Sequence, residues 1–300
     1  MNIIITFLTI IIIILIGYIT KRIGIFKIKD VIILNKIVVN LAMPCLIFYS
    51  IYTTKLNLLH QLGIISIVGI LTSIIIGLIS YFIFTLMKIN TQKKWALLIL
   101  IMIGNSGFIG FPLISGIFGN TGLLRAIFFN ISDQIMLIVL YIILVLRFNG
   151  KLKDIVKKIV TFPILWALIL SLTLNLLHIQ IGSIVLNTIT LFKNITIPLI
   201  LLSLGISIKF KGITKDLNLS ILSSIIKLII YPLICLLILI ILNIRGLEFK
   251  ISIIEASMSS LILLLSYSIE FNLDYKLTSN CIIISTLLSF ITLPLILLIL

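Results

Sequence analysis

The chain has 300 residues, of which 61% are hydrophobic and only 10% charged, and its formal net charge is +15. Soluble domains carry about 25% charged residues, so this composition excludes an ordinary soluble enzyme or binding domain and describes a polytopic membrane protein. In a soluble chain such basicity would point to nucleic acid. Here Lys and Arg fall between apolar runs, where they set topology and meet anionic headgroups.

A bilayer-spanning helix takes about 20 residues, and the chain divides into ten apolar runs of that size joined by short polar connections. Residues 2–20, 31–53, 61–87, 95–118 and 121–146 fill the first half. The first has no basic residue before it and Lys21-Arg22 after it, the reverse of a secretory leader, so it reads as a retained span. Residues 161–178, 182–208, 217–242, 251–269 and 276–300 repeat the rhythm. Cys45, Cys235 and Cys281 lie within these runs without metal or disulfide spacing and read as packing residues.

The fourth run cannot be one smooth helix. From Gly104 to Gly122 it reads GNSGFIGFPLISGIFGNTG, with six of the sixteen glycines and Pro112. Proline removes a backbone donor and crowds the preceding turn, while glycine permits unwinding or close approach. Backbone groups freed at membrane depth survive only against protein or a wet cavity. Two readings follow: a kinked helix with a small-residue packing face, or a binding site. Asn105 and Ser106, polar and just ahead of the break, favour the site.

The connections alternate in charge. Lys21, Arg22, Lys27 and Lys29 follow the first run; Lys88, Lys93 and Lys94 the third; Arg147, Lys151, Lys153, Lys157 and Lys158 the fifth; Lys209, Lys211 and Lys215 the seventh. The other side shows mainly Lys55, Arg125, Arg245 and Lys250. The positive-inside rule places the Lys-rich loops in the cytoplasm and both termini outside. Five spans per half then force the halves, residues 1–150 and 151–300, to run inverted. A shift of about 154 positions lays Asn40 and Pro44 on Asn194 and Pro198, and the broken fourth run on the ninth. Inverted repeats with discontinuous helices are a signature of secondary transporters. The ninth run carries Glu255-Ala-Ser-Met-Ser-Ser260 at the place of Asn105-Ser106 but neither Gly nor Pro. Its hydroxyls either cap an unwound turn or bond back to their own helix.

Ionisable groups inside a membrane are costly and count as functional candidates. Asp133 shares a helical face with Asn130 and Gln134, at i, i+3 and i+4, and Lys227 shares one with Ser220, Ser223, Ser224 and Tyr231. Asp133 and Lys227 read either as a buried ion pair that fixes packing, or as a proton-exchanging carboxylate supported by a lysine that also meets an anionic substrate. Glu255 and Lys193 fall near predicted span ends and read as side chains that snorkel to the interface. Tyr18, Trp95, Trp166 and Tyr275 read as interfacial anchors, and His60 and His178, at span boundaries, as solvated. No protease, lipase, P-loop or prenyl-diphosphate motif and no Cys/His metal cluster is present, so neither an enzyme nor a cofactor is expected.

These residues resemble the auxin efflux carrier family of membrane transporters in its short microbial form, the malate permeases or auxin-efflux-like carriers, over essentially the whole chain. The most specific piece is Asn105-Ser-Gly-Phe-Ile-Gly-Phe-Pro112, which is similar to the family's N-x-G-F-x-G-x-P segment. Ser285 to Pro294 and Ile197 to Gly205 resemble its tenth and seventh spans. The resemblance implies an all-α fold of ten transmembrane helices in two inverted five-helix repeats. Helices one, two, six and seven form a scaffold, and the remaining helices move, with broken helices four and nine crossing. It implies that Asn105, Ser106 and Gly107 line a substrate site, joined by Ser259 and Ser260. It also implies that Pro112, with Gly104 and Gly110, maintains the break, and that the scaffold forms a homodimer. Span nine departs from the family pattern by lacking its usual proline.

The expected function is a secondary carrier in the cell membrane. It would move a small organic anion, a carboxylate or an indole-type weak acid, by alternating access, with protons coupled through Asp133. Competing readings are a membrane sensor or scaffold without flux, and a cation antiporter related to the bile-acid/sodium symporters.

Overall fold

The computed structural model describes residues 3–148, 151–207 and 216–300. Lys209, Lys211 and Lys215 of the fourth basic connection lie outside the described residues, as does the side chain of His60. Among the described residues every regular element is helical. In chain order the first half holds α1 (Ile3–Arg22), α2 (Asp30–Ile37), α3 (Met43–Tyr52), α4 (Leu56–Leu86), α5 (Thr91–Met102) and α6 (Phe111–Arg147). The second half holds α7 (Leu152–Val160), α8 (Pro163–Leu176), α9 (Ser183–Ser207), α10 (Leu217–Ile225), α11 (Tyr231–Ile241), α12 (Gly246–Ala256), α13 (Leu264–Glu270) and α14 (Tyr275–Ile299). Among the described residues six continuous helical runs are long and apolar enough to cross a bilayer: Asp30–Tyr52, Gln61–Leu86, Ser106–Arg147, Ser183–Ser207, Leu217–Ile241 and Tyr275–Ile299. The chain is therefore a multi-pass membrane protein. The 42-residue run Ser106–Arg147 spans the boundary expected between the fourth and fifth spans, and Gly119, at φ 64° and ψ −156°, bends it there.

Among the described residues three single π-helical turns interrupt the helices, at Val38–Ala42, Ser106–Gly110 and Ile226–Ile230. Each is followed two residues on by a proline: Pro44, Pro112 and Pro232. The ring of a proline clashes with the carbonyl four residues back and offers it no N–H. Widening the preceding turn by one residue removes both problems, which is how π-bulges commonly arise inside helices. Pro112 thus sits in the first turn of α6, where its missing donor costs little. The break expected of Pro112 lies upstream of it, at Ile103–Asn105.

The chain folds into two interleaved compact units. The first comprises Met1–Leu62, Phe111–Ile127 and Val156–Phe210; the second comprises Gly63–Gly110, Phe128–Ile155 and Lys211–Leu300. In the first unit α1 packs along α9 and α3 lies between α8 and α9. The α1–α9 contact depends on two glycines. A Cβ on Gly205 would overlap the carbonyl oxygen of Ile14, and one on Gly17 the carbonyl of Leu202. Backbones approach this closely in membranes only where small residues permit it. The ends of α3 and α8 are tied by Asn175, whose Nδ2 donates to the carbonyls of Ile51 (2.7 Å), Tyr52 (2.9 Å) and Thr54 (2.8 Å). They lie at and just beyond the C-terminus of α3, where carbonyls lose their partners within the helix.

In the second unit α14 packs on α10 and α5, and α11 on α12. Nearly all of α5 is buried, from Lys94 to Met102. Trp95, expected at the membrane interface, is instead enclosed, with the Arg147 guanidinium 5.7 Å from its ring centroid. Trp166 behaves as expected, half-exposed and donating from Nε1 to the carbonyl of Val160 at 2.7 Å.

Candidate functional site

The second unit contains two helices that stop and restart, and their broken segments pair with each other. Helix α5 ends at Met102 because Ile103 takes an extended conformation, φ −111° and ψ 123°. Helix α12 ends at Ala256, and regular helix resumes only at Leu264. Between these ends Gly104 and Ser260 form an isolated antiparallel β-bridge, and the N–H of Asn105 donates to the carbonyl of Ser259 at 2.8 Å. The ninth run is therefore broken, as the fourth is, and the two breaks cross.

Backbone groups released by the breaks are satisfied by side chains from elsewhere in the unit. The Ser260 hydroxyl donates to the carbonyl of Leu100 at 2.8 Å and the Ser73 hydroxyl to that of Met102 at 3.0 Å, which satisfies two carbonyls at the end of α5. Having given its proton to Met102, Ser73 accepts from the Tyr231 hydroxyl at 2.7 Å. The hydroxyls of the ninth run take both expected courses, since Ser257 bonds back to the carbonyl of Ile253 at 2.7 Å while Ser260 caps the opposing helix. Each cap keeps a buried carbonyl from being stranded, a loss of about 1–3 kcal/mol.

A polar cluster lies beside the crossing. Ser106 donates to Asp133 Oδ2 at 2.5 Å and accepts from Asn130 Nδ2 at 2.6 Å, and Gln134 Nε2 donates to Asn130 Oδ1 at 3.2 Å. The face formed by Asn130, Asp133 and Gln134 is thus real and points at the break. The amide of Gly104 adds a long contact to Asp133 Oδ1, 3.5 Å. Lys227 also reaches Gly104: a Cβ there would be 3.4 Å from Lys227 Nζ and 3.6 Å from Asp133 Oδ2. Asp133 and Lys227 form no direct ion pair; the ammonium lies 3.7 Å from the Tyr231 ring centroid, a cation–π contact. Both charged side chains are buried.

Two polar side chains at the crossing have no partner among the described residues. Asn105 is fully buried, and neither its Oδ1 nor its Nδ2 finds a hydrogen bond. Glu255, one residue before α12 ends, is 1% exposed, and both carboxylate oxygens are without a donor. Its carboxyl group lies against Gly110, where a Cβ would come within 2.7 Å of Cδ. The expectation that Glu255 snorkels to the interface is overturned by this burial. Lys193 lies in the middle of α9, half-buried, with Nζ 3.8 Å from the ring centroid of Tyr49.

Residues 2–157 and 147–297 match the family described as membrane transport protein. The chain belongs to the auxin efflux carrier family of membrane transport proteins. An uncharacterized transporter of Methanothermobacter thermautotrophicus is 36% identical over 291 residues, covering 97% of this chain and 96% of that protein. Another uncharacterized transporter, from Methanocaldococcus jannaschii, is 32% identical over 295 residues, covering 96% of each. The auxin efflux carrier family and these relatives are transporters and not enzymes.

Placed in this carrier, the residues singled out in the sequence divide by what they have left to offer. Gly104, Asn105, Ser106, Gly107, Ser259 and Ser260 are brought together at the crossing, and all are buried. Ser106 is committed to Asp133 and Ser260 to Leu100, while Ser259 Oγ accepts from Thr286 at 3.4 Å. Asn105 alone of these polar residues keeps its full side-chain bonding capacity. Glu255 was missed by sequence reasoning, and one signal for it was present: it directly precedes the Ser-rich stretch that breaks the ninth run.

Proposed function

We propose that the protein is a secondary active carrier for a small organic anion, working by alternating access, with its substrate site at the crossing of the two broken helices. The observation that carries this reading is the Asn105 amide, fully buried and unpartnered at the point where the breaks pair. A buried amide without partners costs about 1–3 kcal/mol, and a ligand with matching donors and acceptors recovers that loss. The restarted helix after Asn105 begins with free amides and a positive dipole end, which favour an anion. Lys227 supplies a full positive charge beside Gly104. Gly107 allows backbone approach, and the backbone of Ser259 and Ser260 fixes the far wall.

Alternating access under this proposal uses ten spans in two inverted five-helix repeats, residues 1–150 and 151–300. Spans one, two, six and seven act as scaffold and the others as the moving part. The interleaved units support that division in part: residues 1–62 and 156–210 group together apart from 63–110, 128–155 and 211–300, while Phe111–Ile127, from the end of span four and the start of span five, groups with the scaffold spans. Asp133 is the proposed proton-exchanging group, with Lys227 tuning its charge.

The test is uptake of a panel of labelled carboxylic and indole-type acids into proteoliposomes, with and without a pH gradient, by wild type and Asn105→Ala. Saturable uptake that falls about tenfold or more in the variant, the equivalent of about 1.4 kcal/mol of lost binding, is the expected result. Undiminished uptake by Asn105→Ala removes the site from the crossing. Silence across the panel from folded, inserted protein turns the reading towards a sensor without flux.

A further inference from the structure

We propose that Glu255 is the binding site of a coupling cation, a proton or an alkali ion, which neutralises its carboxylate next to the substrate. The site is built from what the carboxylate lacks. Glu255 is 1% exposed, and no described donor reaches either of its oxygens. A bare carboxylate in such a place costs several kcal/mol, so the stable state has positive charge bound to it. Asp133, equally buried, has protein groups that support its charged form between proton exchanges: the Ser106 hydroxyl, the Gly104 amide and the nearby Lys227. Glu255 has none of these.

The surrounding charges point the same way. The elements packed against α12 are α11, α14 and the π-turn Ser106–Gly110. The titratable groups on or beside them are Tyr231 and Cys235 on α11, Lys227 just before it, Tyr275, Lys276 and Cys281 on α14, and Asp133 on α6; Tyr275 and Lys276, at the start of α14, are exposed, whereas the others are buried. Cys235 donates to the carbonyl of Ser252 at 3.7 Å, and Lys227 rests over Tyr231. The charged group acting on Glu255 is Asp133, a like charge. Two carboxylates and one ammonium leave the crossing net negative when both acids are ionised. An organic anion is then repelled unless Glu255 has first taken up a cation. That requirement links the two binding events and gives the carrier a thermodynamic reason to move both together. Its place in a transport cycle rests on the carrier reading above; the cation site itself does not.

Gly110 makes the carboxyl position specific. It sits on the π-turn that follows the first break, and its missing Cβ leaves the space the Glu255 carboxyl fills. Cation binding at Glu255 is thereby sensed by the segment that carries Asn105 and Ser106.

The experiment is infrared spectroscopy of the purified full-length protein in lipid, at neutral pH, in choline chloride and in sodium chloride, for wild type and Glu255→Gln. A protonated-carboxyl band in choline that Glu255→Gln lacks identifies the cation as a proton. Carboxylate bands that change saturably with sodium, and are absent from Glu255→Gln, identify an alkali ion. A Glu255 carboxylate signature that is ionised and identical in the two salts overturns the proposal. Gly110→Ala displaces the carboxyl without removing it and should shift the same band, which keeps the test open if Glu255→Gln does not fold. Uptake of the acid panel completes it: Glu255→Gln should lose gradient-driven accumulation, and accumulation equal to wild type also overturns the proposal. If no acid is taken up by either protein, the carrier reading falls and the infrared bands still decide the cation site.

Discussion

Asp133 and Glu255 are both buried carboxylates, and the donors around them set different roles. Asp133 receives the Ser106 hydroxyl at 2.5 Å, and an amide at the same position still accepts that bond through its oxygen. Asp133→Asn is therefore expected to fold and bind, with a melting temperature within a few degrees of wild type, while its uptake no longer responds to a pH gradient. Full responsiveness in proteoliposomes would remove Asp133 from the coupling path. The glycines make a second contrast. A Cβ at Gly110 collides with the Glu255 carboxyl, whereas one at Gly104 meets its nearest atom, Lys227 Nζ, at 3.4 Å. Gly110→Ala should lose about 1–3 kcal/mol in thermal unfolding and Gly104→Ala much less. Asp133 was legible because Asn130 and Gln134 mark its face. Glu255 was not, because Arg245, Glu248 and Lys250 push the apparent start of the span to residue 251. The helix itself begins at Gly246, which carries Glu255 deep into the fold.

At the scale of elements, the breaks are held by side chains distant in sequence. Ser260 reaches Leu100 and Ser73 reaches Met102. Ser260→Ala and Ser73→Ala should each lower stability by about 1–3 kcal/mol, with the larger effect at Ser73, because its loss also frees the Tyr231 hydroxyl. Thermal unfolding of the purified variants checks this, and equal stability of all three proteins would show the carbonyls satisfied by other means. The sequence located the first break through its glycines and polar Asn105-Ser106. It attributed the break to Pro112, which the π-turn accommodates instead. The second break lacks Gly and Pro and depends on pairing with the first, a long-range contact that no local pattern encodes. The three π-turns were equally hidden, although a proline two residues after each is a pattern that could have flagged them.

At the scale of the whole molecule the open quantity is orientation, and the lysines decide it. Some span bounds were readable from hydropathy: 31–53 was expected where Asp30–Tyr52 is found, and 276–300 where Tyr275–Ile299 is found, whereas the expected run 95–118 is split between α5, which ends at Met102, and the run Ser106–Arg147. Which side a loop faces is a property of the membrane and of insertion, and it rests on the charge count. Lys55, between α3 and α4, and Lys153, on α7, are both exposed and separated by three proposed spans. The proposed spans put them on opposite sides, and the positive-inside rule predicts Lys153 and its basic neighbours in the cytoplasm. Lys55→Cys and Lys153→Cys, each on a background with Cys45, Cys235 and Cys281 replaced, give a direct reading with a membrane-impermeant maleimide. Intact cells should label Lys55→Cys and inverted vesicles Lys153→Cys. The reverse pattern would turn the carrier over in the membrane. Labelling of both from one side would mean an even number of crossings between them. The bend at Gly119 would then not separate two spans, and the two halves could not be inverted repeats of each other.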